Sequence, residues 1–184
     1  MKLLGSSRRM TFSWRQLAGD SGAEIAETAL VMPLVFLFLL GIFWFGRAYN
    51  VYSTITYAAR EGALTAARAN CAGCGNTLPT PAVVAARVQS VLQASKLDPN
   101  PIALYTVTPA PTFCPNLTPP GACAPSVNNI TVCRGVRLNS TTSALPACGA
   151  LVSFQYPYQF YLPFTSLNMQ LFNLPAAAEV PMEY

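Results

Sequence analysis

The chain contains no histidine, and charged residues make up only 10% of its 184 positions. Histidine is the most frequent general base and the most frequent metal ligand, so its absence removes the commonest routes to both kinds of chemistry. No glycine-rich phosphate loop follows a strand-like run. The carboxylates beyond the apolar run, Glu61, Asp98, Glu179 and Glu183, form no pair with supporting neighbours. Asp98 stands in Asp98-Pro99-Asn100-Pro101, a setting for turn chemistry. The sequence therefore nominates no catalytic residue, no metal site and no cofactor, and the chain reads as a non-enzyme. Positive charge is also scarce where a fold could use it. Residues 1–22 carry Lys2, Arg8, Arg9 and Arg15 against Asp20, which is +3 of the net +4. The remainder has seven basic and six acidic side chains, so it lacks the basic patch that binding to nucleic acid requires.

The sequence is rich in apolar surface instead: 52% hydrophobic residues and a mean hydropathy of +0.35. Its longest uninterrupted stretch runs from Thr28 to Gly46, without formal charge and bracketed by Glu27 and Arg47. As a helix it reaches roughly 28 Å, close to the roughly 30 Å hydrocarbon core of a bilayer. A buried core helix of that length would normally keep a polar face. The run is expected to be a single membrane span in contact with membrane lipid. The basic residues before it predict a cytoplasmic N-terminus, with the C-terminal portion on the far side. The run exceeds the apolar core of an ordinary secretory signal, and no small-x-small site closes it. No proline interrupts Ala48 to Ala69, so the helix is expected to continue past the membrane to about Ala69. Pro33, one turn inside, removes a backbone hydrogen bond. It is either a tolerated kink or a packing feature in an assembly.

Immediately before the span the chain reads Gly22-Ala23-Glu24-Ile25-Ala26-Glu27-Thr28-Ala29-Leu30-Val31-Met32-Pro33. This resembles the processing region of the TadE-like family of pseudopilins, from the tight-adherence (Flp) branch of type IV pilus systems. The shared features are a basic leader ending in glycine, a glutamate five residues into the mature chain, and an Ala-Leu-Val-x-Pro opening to the apolar helix. Ala58-Ala59-Arg60-Glu61-Gly62 also resembles a family segment. The resemblance implies cleavage after Gly22 by a prepilin peptidase at the cytoplasmic face, leaving Ala23 as the new N-terminus and Glu27 as the fifth residue. Gly19, with Glu24 five residues on, is the competing site. Thr28 departs from the aromatic that filament-forming relatives often place sixth. The resemblance further implies a minor pseudopilin or assembly component in a bacterial inner membrane, with other pilin-like subunits and the assembly platform as partners. From the residues alone, Glu27 has two readings. A carboxylate at a bilayer edge seeks a cationic partner; alternatively it marks the water interface and favours a helix N-terminus.

The expected organisation is a leader over 1–22, a membrane and membrane-proximal helix over 23–70, and an extracytoplasmic α+β domain over 71–184. Thr80-Pro81 gives a helix start, with Thr80 as N-cap, and that helix should run to about Lys96 with Val84, Val88, Val91 and Leu92 on one face. Strands are expected at 102–108, 129–137, 149–160 and 176–182, and a short helix at 164–172. The proline-rich stretch 99–125 reads as exposed loop. An antiparallel sheet packed on the helices is the expected architecture. The six cysteines, Cys71, Cys74, Cys114, Cys123, Cys133 and Cys148, are an even set in an expected oxidising compartment and read as disulfides. Cys71-x-x-Cys74 has redox spacing but no βαβ context. Sequence cannot fix the pairing; nearest-neighbour pairing, Cys114 with Cys123 and Cys133 with Cys148, is one guess. Asn116, Asn129 and Asn139 open N-x-Ser/Thr triplets, which are frequent by chance in this composition. A rival reading is a signal-anchored binding domain, never processed, with the aromatic segment Phe154 to Phe164 as its surface.

Overall fold

The structure is a computed structural model that describes residues 20–68, 77–115, 117, 120–139, 146–159 and 171–182; for 20–24 it describes the backbone alone. Its elements are α1 (Asp20–Ala67), α2 (Pro81–Ala94), β1 (Ala122–Cys123), β2 (Thr131–Arg137), β3 (Cys148–Gln159) and β4 (Leu171–Pro181). The chain divides into two compact units, 1–45 and 46–184.

The first unit contains the apolar half of α1. Its described side chains are almost all exposed, including Leu30 (70%), Phe38 (73%) and Phe45 (74%). A core helix of a water-soluble domain buries one stripe, whereas here apolar side chains are uncovered all round. Among the described residues this is the one helix long and apolar enough to cross a bilayer. It fits a single-pass membrane protein. Pro33 lies within the helix, which continues through it.

The second unit is an α+β domain with a four-stranded antiparallel sheet in the order β1-β2-β3-β4. Beyond Gly46, α1 turns amphipathic. Val51, Ile55, Ala58, Ala59, Ala63 and Ala66 recur at helical spacing and are buried. They join Val84, Ala85, Val88 and Leu92 of α2 and Val132, Ala150, Val152, Phe154 and Tyr156 of the sheet in one core. The opposite face of the sheet carries a smaller cluster of Cys133, Val136 and Leu151, with Val107 packed against it. Both faces of β3 are therefore covered, which explains the near-continuous apolar run from Ala150 to Phe154.

Cys133 and Val136 are three residues apart, yet both belong to the cluster on the far face. Strict alternation would put them on opposite faces. A bulge between Arg134 and Val136 supplies the extra residue, Gly135, at φ +69°. A Cβ on Gly135 would come within 2.6 Å of Leu117 and 2.8 Å of Gly121, so this position requires glycine sterically as well as conformationally.

Prolines 157, 175 and 181 all lie in strands. Ala103 and Gln155 exchange backbone hydrogen bonds of 2.9 Å on the β2 side of β3, so odd-numbered residues of β3 face away from β4. Pro157 opposes Asn173, Pro175 opposes Gln155, and Pro181 opposes Gly149. All three thus occupy pairs where the β3–β4 ladder needs no N–H. Pro175 and Pro181 also remove donors from the outer edge of β4, which pairs with no further strand among the described residues, and so blunt it against strand addition.

The helix α2 begins at Thr80-Pro81 as its sequence suggests. Thr80 occupies the N-cap but makes no side-chain cap bond; its carbonyl accepts from the amides of Val83 and Val84 at 3.0 and 3.2 Å. The helix ends at Ala94, two residues before the expected Lys96. Lys96 adopts φ 59°; its amide bonds Gln93 O and that of Leu97 bonds Leu92 O, both at 2.9 Å. This is the Schellman arrangement, with lysine at the position glycine usually takes.

Several expected boundaries are corrected. The segment 102–108 is not a strand: β2 already occupies that side of β3 from Thr131 onward, so only Ala103 bridges, to Gln155. The final strand begins at Leu171 instead of Ala176, so Leu171 and Phe172, expected in a helix, are strand residues; 164–170 lie outside the described residues. The stretch 99–125 is mostly loop, except that Phe113 bridges Val136 and β1 pairs with β2.

The nearest-neighbour disulfide pairing is also overturned: the bonds are Cys114–Cys148 and Cys123–Cys133. Antiparallel pairing of β1 with β2 sets Cys123 opposite Cys133. The Cys114 amide donates to Gly135 O at 2.8 Å, which holds Cys114 beside the end of β2, where Arg137 opposes Cys148. Cys71 and Cys74 lie outside the described residues.

Candidate functional site

The residues nominated from sequence for processing and assembly all lie on α1. Gly22 and Ala23 fall in its first described turn, with helical backbone. Glu27 is exposed and, with Thr28, Val31, Met32 and Val35, lines a shallow depression on one side of the helix. Further along, Leu34, Leu37, Phe38, Gly41, Ile42 and Phe45 line a second, almost wholly apolar depression. Gly41 and Gly46 have open space where a Cβ would stand, so a partner backbone could approach closely at either. Glu27 and Pro33 fall in the first unit, and the described cysteines, Cys114, Cys123, Cys133 and Cys148, in the second.

The Ala-Ala-Arg-Glu-Gly segment at 58–62 has a structural explanation. Ala58 and Ala59 are fully buried against the domain core. A Cβ at Gly62 would come within 2.5 Å of Val88 Cγ2, 3.4 Å of Val152 Cγ1 and 3.7 Å of Val84 Cγ1. Gly62 is thus the point where α1, α2 and β3 converge. Glu61 accepts from Arg87 of α2 at 3.2 Å, a pair on the protein surface. Arg60 projects outward.

Residues 22–64 match the family model described as TadE-like protein. The TadE-like segment therefore contains the proposed cleavage site, the whole uncharged run and the Ala-Ala-Arg-Glu-Gly motif. It stops at Leu64, before the last buried turn of α1. No curated protein and no solved structure matches the chain significantly. The family likeness is confined to the helix, and the domain stands on its own geometry.

Two features next to the TadE-like segment were not visible in the sequence. Arg134, from β2, reaches the C-terminal end of α1: its Nε donates to Ala66 O at 3.3 Å and its Nη2 to Pro79 O. Carbonyls in the last turn of a helix have no intrahelical partner, and a cation there also suits the helix dipole. Burial lowers the Arg134 pKa from its ordinary value, but an arginine stays charged under all working conditions. The single signal for it was a charge inside an otherwise apolar strand run.

The second feature is an open groove of about 600 Å³ between α1 and β4. Tyr49, Tyr52, Thr56, Tyr57 and Arg60 line its helical side, and Glu179 stands on the strand side. The tyrosines recur at the spacing of one helix face, opposite the buried stripe. By contrast, the aromatic surface suggested for 154–164 is core where described: Phe154 is fully buried, and Tyr156 and Tyr158 are 8% and 6% exposed. Burial, and secondarily the charge of Asp98, raises the Tyr156 pKa. Asn129, a nominated glycan acceptor, donates its Nδ2 to Ile102 O at 2.8 Å.

Proposed function

We propose that this protein is a processed minor pseudopilin or assembly component of a tight-adherence pilus. The observation that carries the reading is the TadE-like match over 22–64, on a helix whose apolar side chains are uncovered on every side. In this reading a prepilin peptidase removes residues 1–22 and leaves Ala23 at the cytoplasmic face. The helix then holds the subunit in the inner membrane, with its domain in the periplasm or carried into a pilus. Pilin-like helices of neighbouring subunits pack along it. Glu27 supplies a carboxylate for a cationic partner at the membrane edge, such as a free N-terminal ammonium. Gly41 and Gly46 permit close helix approach. The chain contributes binding and packing, not chemistry.

The test is the N-terminal sequence of the protein isolated from its native membrane, with and without the cognate peptidase. A peptidase-dependent start at Ala23 is expected. A peptidase-dependent start at Asp20 would move the cut to Gly19 and make Glu24 the fifth residue, with the processing pathway unchanged. Retention of Met1 in both strains would overturn the reading and leave a signal-anchored domain.

A further inference from the structure

The groove between α1 and β4 begins just where the uncharged run ends, and this position restricts what can occupy it. Tyr49 and Tyr52 are 73% and 46% exposed, so the domain leaves their rings uncovered. At 1.5 Å per residue they lie about 4.5 and 9 Å along the helix beyond Gly46. A bilayer's polar layer extends about 5–8 Å beyond the hydrocarbon on each side. Side chains on a helix also lean toward its N-terminus, here toward the membrane. Tyr57 and Arg60, about 16 and 21 Å beyond Gly46 by the same rise, clear that layer.

We propose that Tyr49 and Tyr52 form a phospholipid headgroup seat at the membrane-proximal end of this groove. The proposal rests on the reading of α1 as a membrane span. Tyrosine suits the position because its ring can lie against acyl carbons while its hydroxyl meets phosphate and water. The hydroxyls nearest to the two tyrosines are already engaged. The Ser53 hydroxyl donates to Asn50 O at 2.9 Å and that of Thr56 to Tyr52 O at 2.7 Å. At the membrane-proximal end the phenols are therefore the groove's side-chain donors free to meet a phosphate; Arg47, which ends the uncharged run, projects from the other side of the helix. Arg60 and Glu179 both line the groove, one charge of each sign. The seat fixes how deep the helix sits and leaves the upper groove, at Tyr57 and Arg60, open to water.

The test uses the full chain in phosphatidylcholine vesicles. Single tryptophans are placed by Tyr49→Trp, Tyr52→Trp or Tyr57→Trp in a Trp14→Phe/Trp44→Phe background, and a Trp14→Phe chain keeps Trp44 as reporter of the span. Quenching is read with aqueous acrylamide and with lipid brominated near the headgroup end of its chains. The expected result is that positions 49 and 52 are several-fold more shielded from acrylamide than position 57, and are quenched by the brominated lipid. Equal acrylamide access at all three positions, with Trp44 still quenched by lipid, overturns the proposal while sparing the span, and frees the groove for a protein partner. Equal shielding at all three also overturns it, because the whole face would then be covered. If Trp44 itself escapes the lipid quencher, the membrane reading fails and the seat fails with it.

Discussion

Gly62 lies where three elements meet, and the tolerance there is small. Alanine would gain about 1 kcal/mol of helix propensity over glycine. Overpacking of this kind costs about 1–3 kcal/mol. Gly62→Ala should therefore lose about 1 kcal/mol net. Val88→Ala in the same chain should recover part of that loss, because Val88 Cγ2 is the nearest atom to the new methyl. Urea unfolding of the four chains of this cycle, followed by near-ultraviolet circular dichroism in detergent, measures the coupling; strict additivity would show that the contact does not matter. Arg134 calls for a different argument. Arg134→Met removes two charge-assisted hydrogen bonds and strands the Ala66 and Pro79 carbonyls, at a cost of about 2–3 kcal/mol. Lysine should restore only a fraction, since one ammonium cannot reproduce the guanidinium fork. The same unfolding measurement checks both variants. The sequence displayed the Ala-Ala-Arg-Glu-Gly motif but not the reason for its glycine. The atoms that make glycine necessary come from α2 and β3, and no local pattern encodes such a convergence.

Elements were legible to the extent that their signals were local. The Thr80-Pro81 start of α2 depends on adjacent residues and was found where sequence placed it. The strand expected at 102–108 has the right residue types, but whether it pairs depends on a competitor, β2, that holds the edge of β3 from Thr131. The disulfides fail in the same way. Proximity along the chain suggested Cys114 with Cys123, whereas sheet register joins Cys123 to Cys133 and leaves Cys114 for Cys148. The two bonds close loops of different length, with sequence separations of 34 and 10. On the chain-entropy model they contribute about 4 and about 3 kcal/mol respectively. Replacing Cys114 and Cys148 together by alanine should thus lower the melting temperature more than replacing Cys123 and Cys133. Differential scanning calorimetry decides the order, and a non-reducing peptide map should show the two cross-links directly. A map with Cys114 joined to Cys123 would refute the register argument as well as the pairing.

Across the whole molecule, one helix presents two kinds of surface. From Ala29 to Phe45 its surface is apolar all round, whereas from Val51 onward one stripe belongs to the core of the second unit. This division was readable in outline, because the uncharged run ends at Arg47 and small residues at helical spacing follow. What composition could not reveal was that the alanine-rich half of α1 is a full layer of the domain. Ile55, Ala58, Ala59, Ala63 and Ala66 have no exposed surface. A cut after the membrane run and a cut after the helix should consequently behave very differently. Fragment 46–184 keeps every residue of the main core, so it should be water-soluble and should melt cooperatively with its disulfides formed. Fragment 68–184 lacks the α1 layer and exposes Val84, Val88, Val152 and Phe154, which that layer covers. At about 25 cal/mol per Å² of apolar surface, uncovering several such side chains approaches the whole stability of a small domain. The shorter fragment should aggregate or lack a cooperative transition, as sedimentation velocity and thermal circular dichroism would show. If both fragments folded alike, the membrane-proximal helix would be a mere stalk and the burial of its alanines incidental. If neither folded, the domain would depend on the membrane half of α1 as well, and the division of the chain at Gly46 would not mark an independent unit.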